Sequence, residues 1–65
     1  MKLSPHRVIQ LSNILDIAQA ETPANFRRAA KAASINNMGA RAYFLGRAAK
    51  FYQIAIRAER RLQAA

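Results

Sequence analysis

Residues 38–62, MGARAYFLGRAAKFYQIAIRAERRL, carry the reading that decides the fold. Phe44, Ala48, Phe51, Ala55, Ala58 and Leu62 recur in alternating steps of four and three, the spacing of one face of an α-helix. A second apolar row, Met38, Ala42, Leu45, Ala49, Tyr52 and Ile56, runs beside it at the same spacing. At 100° per residue the two rows together cover roughly half of the helix circumference. A helix this apolar has to be clasped from two directions. The pattern predicts one long helix over 37–63, with Ser34, Asn36 or Asn37 as its N-cap.

Upstream, Ser4-Pro5 and Thr22-Pro23 each place a side-chain oxygen at an N-cap position and a proline at the first helical position. They predict two shorter helices over 5–20 and 23–33. Val8, Leu11, Ile14, Leu15 and Ala18 form the inward stripe of the first, and Phe26, Ala29, Ala30 and Ala33 that of the second. Ile9 and Ile17 fall off the stripe. No strand-like alternation competes. The expected fold is therefore all-α, one domain over 1–65, with two short N-terminal helices packed on a long C-terminal one.

The chain is too short to bury a large core, and proteins of this size lean on a disulfide, a metal or a second chain. It has no cysteine, and its one histidine, His6, stands with only Asp16, Glu21 and Glu59 as other candidate ligands, so no metal site or cofactor is expected. That leaves self-association. A helix of about 40 Å overhangs a neighbour of about 17 Å. The expectation is thus a homodimer, with Phe44, Phe51, Tyr52, Ile56 and Leu62 as candidate interface residues. Arg41 points toward the apolar arc, where it can pair with an acid across an interface or reach past the helix end to water.

Charge is the strongest signal in the composition. Eleven Lys and Arg stand against three acids, a formal net charge of +8. Arg47, Lys50, Arg57 and Arg61 form a stripe on the long helix, and Arg27, Arg28 and Lys31 cluster on the helix before it. Arg57 with Arg61 and Arg27 with Lys31 are like charges one turn apart, which disfavours each helix in isolation. Such an array calls for an anionic partner. Nucleic acid, DNA in particular, comes first, because Arg and Lys along a helix neutralise successive phosphates and release condensed counterions. An acidic surface of a larger protein, bound by a module or inhibitor, is the alternative, and an anionic membrane surface the third.

Residues 29–41, AAKAASINNMGAR, loosely resemble a helix-turn-helix, with Ala30 at the small position, Ser34 at the turn and Ile35 at the apolar position after it. Read so, Asn36, Asn37 and Arg41 stand near the start of a recognition helix, where base contacts are made. The other reading of this junction is an ordinary helical hairpin with a polar, N-capping connection.

Catalysis is not expected. The three carboxylates lie on different elements, no Gly-rich phosphate loop is present, and short helices rarely enclose a pocket for a small-molecule substrate. No segment has the run of about 18 apolar residues that a transmembrane helix needs. Gln10, Ser12, Asn13 and Asp16 interrupt the apolar run that a secretory signal requires. A cytoplasmic regulator or accessory factor of a bacterium or mobile element is the resulting expectation.

Overall fold

A computed structural model describes residues 2–64; Met1 and Ala65, the outermost residues of the expected domain, lie outside the described residues. The chain forms two helices, α1 (Pro5–Ser34) and α2 (Met38–Ala64), joined by a tight turn. They lie side by side in opposite directions, as an αα-hairpin 49 Å long and 13 by 12 Å across. The radius of gyration is 14.8 Å. A compact domain of this length would have about 11 Å, so the molecule is a rod.

The all-helical expectation holds, but the helix count is two, not three. Thr22 and Pro23 do not start a helix: α1 runs through both. Pro23 lacks the N–H that would bond the Gln19 carbonyl one turn back. The residues on either side turn their side chains to neighbouring carbonyls. Thr22 Oγ1 donates to the Ala18 carbonyl and Asn25 Nδ2 to the Glu21 carbonyl, both at 2.8 Å. Thr22 is thus bonded back into the preceding turn, where an N-cap residue would accept from a following N–H. The first proline does what its position implies. Ser4 caps α1, accepting the Arg7 N–H at 3.2 Å, with Pro5 behind it.

The helices meet along matching rows. On α1 the inward row is Leu11, Leu15, Ala18, Thr22, Asn25, Ala29 and Ala32, and on α2 it is Phe44, Ala48, Phe51, Ala55, Ala58 and Leu62. Both step by four and three, the seam of a left-handed supercoil. The core is nearly all alanine. Among the described residues, Ala18, Ala29, Ala32, Ala48 and Ala58 are buried, Leu11 is the only large apolar residue that matches them, and Asn25 is the one buried polar residue. Small side chains let the two backbones approach closely, but they remove little apolar surface from water. Phe26, expected to face inward, is 52% exposed, because the unbroken α1 turns it to the side of the seam.

The turn is built from backbone geometry. The Asn37 N–H donates to the Ala32 carbonyl at 2.8 Å and the Asn36 N–H to the Ala33 carbonyl at 3.0 Å, the paired bonds of a Schellman motif. Asn36 takes the left-handed conformation this motif needs (φ 60°). Asn37 then caps α2: its Oδ1 accepts the Ala40 N–H at 3.1 Å.

Candidate nucleic-acid interface

A two-helix hairpin has two broad faces, one on each side of the seam, and helical phase sorts every residue onto one of them. On the first face α2 contributes Tyr43, Arg47, Lys50, Ile54, Arg57 and Arg61, and α1 contributes Ile14, Glu21, Arg28 and Lys31. Two grooves confirm the sorting. One, near the open end of the hairpin, has about 390 Å³ of space and sets Arg57, Arg60 and Arg61 around a floor of Leu11, Ile14, Ile54 and Ala58. The other, near the turn, brings Arg28 and Lys31 beside Phe44 and Ala40. The first face is therefore basic. From Arg47 to Arg61 the stripe on α2 extends about 21 Å at 1.5 Å per residue, the axial length of about six base pairs of duplex.

Two features shape this face. Arg47 is half-buried, its guanidinium 5.4 Å from the centre of the Phe51 ring and 5.8 Å from that of Tyr43. The stacking holds the cation in place along the helix instead of letting it sweep freely. Arg28 meets the single acid on this side: its Nη1 lies 3.3 Å from Glu21 Oε2 and 3.4 Å from Asn25 Oδ1. Among the described residues this is the one ion pair, and it leaves Lys31, Arg47, Lys50, Arg57 and Arg61 outside it.

The anticipated residues divide accordingly. Arg28 and Lys31 join the α2 stripe, whereas Arg27 points away from α2 on the outer edge of α1. Arg60, which the sequence reading passed over, lines the groove beside Arg57 and Arg61. It lies off the stripe in helical phase, and only the apposition of the N-terminal part of α1 creates the groove it borders. Asn36 and Asn37 are engaged in the turn, by backbone conformation and by capping respectively. The helices they join run antiparallel, the hairpin arrangement, rather than crossing at the 90–120° of a helix-turn-helix. Arg41 is exposed at the start of α2.

Of the expected interface residues, Phe44, Phe51 and Leu62 are half-buried in the intrachain seam. Tyr52 and Ile56 instead stand on the second face, where grooves run over Phe26, Leu45, Ala48 and Ala49 and past Thr22, Pro23 and Ala55. Its α2 side is apolar. Between Arg41 near the turn and Glu59 near the open end, the second apolar row of α2 carries no charge.

Among the described residues, no group of three His, Cys, Asp or Glu side chains is placed to hold a metal, and no helix is long and apolar enough to cross a membrane. The chain matches no protein-family model, no curated protein and no solved structure.

Proposed function

We propose that this protein is a small, non-enzymatic, cytoplasmic nucleic-acid-binding protein that grips DNA through its basic face and works as a homodimer. The observation that supports this most is the segregation of charge. Arg28, Lys31, Arg47, Lys50, Arg57 and Arg61 share one face of a rod, and the only acid among them, Glu21, is already engaged by Arg28. A straight row of fixed cations follows a phosphate backbone, and counterion release supplies the driving force. Contacts of this kind position a protein on a duplex without reading its sequence, which suits an accessory factor or regulator of a bacterium or mobile element.

The test is fluorescence anisotropy with a labelled duplex and a single strand at 50 and 200 mM salt. With four to six phosphates neutralised, the log–log slope of affinity against salt is about −4 to −5. Affinity therefore falls by roughly 500-fold between the two conditions. A folded chain that fails to bind at 50 mM salt removes the proposal.

A second reading has its own support. The groove walled by Arg57, Arg60 and Arg61 has an apolar floor, so it could take an apolar side chain flanked by carboxylates, as an acidic protein surface would present. That reading takes over if the chain ignores nucleic acid and captures one acidic partner through the same arginines.

A further inference from the structure

The face opposite the arginines explains how two copies would meet. We propose that it is a self-association surface on which a second copy lies antiparallel, with Arg41 of each copy against Glu59 of the other. This deepens the homodimer part of the proposed function and is independent of the nucleic-acid part.

Three observations lead to a second copy as the occupant. The first is area. The chain exposes 4887 Å², whereas a compact monomer of its mass would expose about 4100 Å². The excess is close to the roughly 800 Å² that each partner contributes to an ordinary stable interface. The second is charge. A chain of net charge +8 repels its own copies, and this is the broad face that keeps the cationic stripe turned away from the contact.

The third is self-complementarity. Arg41 and Glu59 are 18 residues apart, five full helical turns, so they sit in line on α2 with about 27 Å between them. Neither has an opposite charge three or four residues away, and neither joins the single ion pair among the described residues. A row with a cation at one end, an acid at the other and an apolar middle pairs with its own reverse. Laying two such rows antiparallel brings Tyr52 against Ala49 and Leu45 against Ile56 of the other copy, the aromatic ring over a small side chain. A parallel arrangement would instead bring Arg41 to Arg41 and Glu59 to Glu59. The antiparallel assembly is isologous and closes at two copies. It buries the exposed Phe26, Met38 and Tyr52, and it turns the two basic faces outward on opposite sides.

Sedimentation equilibrium of the full chain at 150 mM salt, with charge-swapped variants, tests this. A dimer is expected. Glu59→Arg and Arg41→Glu each weaken it by about tenfold, since both symmetry-related rim pairs become repulsive. The double variant, whose net charge equals that of the unaltered chain, restores the affinity to within about twofold. Asn13→Arg combined with Gln53→Arg, which shifts net charge as much as Glu59→Arg but lies on the outer edges of the two helices, has a clearly smaller effect. A chain that stays monomeric to about 100 µM overturns both the inference and the homodimer reading. A dimer insensitive to both single swaps, unrestored by the double one, or weakened equally by the Asn13→Arg/Gln53→Arg pair overturns the antiparallel pairing while leaving the homodimer in place.

Discussion

The side-chain amide of Asn25 donates to the main-chain carbonyl of Glu21 at 2.8 Å, and it does so fully buried between the two helices. Its Nδ2 also lies 3.4 Å from Glu21 Oε2, and its Oδ1 accepts from Arg28, so every polar atom of this buried residue is engaged. A donor is what the site requires. Asn25→Ala removes the bonds and leaves a small void, at a cost of about 1 kcal/mol. Asn25→Asp has almost the same shape but faces the Glu21 carbonyl and carboxylate with acceptors alone, so it costs more, about 2–3 kcal/mol. Urea denaturation at fixed protein concentration checks the order of the two.

Pro23 weakens the helix it sits in. Restoring an N–H toward the Gln19 carbonyl with Pro23→Ala is expected to stabilise the hairpin by about 1–3 kcal/mol. A proline acting as the start of a separate helix would give the opposite sign. Thermal melts followed by circular dichroism distinguish the two.

Asn36 makes the turn at φ 60°. Glycine adopts that conformation at no steric cost, whereas alanine resists it by about 1–2 kcal/mol. Asn36→Gly therefore raises the melting temperature slightly and Asn36→Ala lowers it by several degrees, the larger shift coming from alanine.

These residues also show what was legible in the sequence and what was not. The seam of α2 from Phe44 to Leu62 was readable because its spacing is local and unbroken. So was the Ser4-Pro5 start, where the cap and the proline agree with the apolar pattern that follows. Thr22-Pro23 has the same local chemistry as Ser4-Pro5, yet it lies inside a helix. What separates the two sites is a partner more than 30 residues further along the chain: Ala55 and Ile56 pack against this stretch of α1. Tertiary packing overrode a local stop signal. The basic stripe of α2 was visible in the same way as the seam. Its continuation through Arg28 and Lys31, and the exclusion of Arg27, depended on the phase of an α1 that runs unbroken past Pro23.

Arg57 and Arg27 separate the proposed interface from charge in general. Arg57→Ala or Arg61→Ala should reduce the salt slope of DNA binding by about one each. Arg27→Ala, on the outer edge of α1, should leave the slope nearly unchanged. Titrations over four salt concentrations give each slope directly. Equal effects from Arg27 and Arg57 would point to diffuse charge rather than a defined face.

Ala48 is completely buried in the seam. Ala48→Leu has to push the helices apart and costs about 1–3 kcal/mol by overpacking. Ala49→Leu, one position along on the open face, should be far milder in the monomer, so comparing their denaturation midpoints reads the seam directly.

Both faces of this molecule exist only because two long helices stay in step from the turn to the open end. A residue inserted within α2 would rotate everything beyond it by 100°, carrying Arg57 and Arg61 toward the outer edge and shifting Glu59 out of line with Arg41. A residue inserted between Ser34 and Met38, or beyond the ends of the helices, would rotate little that matters. Natural variation in the length of this chain is thus expected to concentrate at the turn and the termini, with the helices changing in composition but not in count.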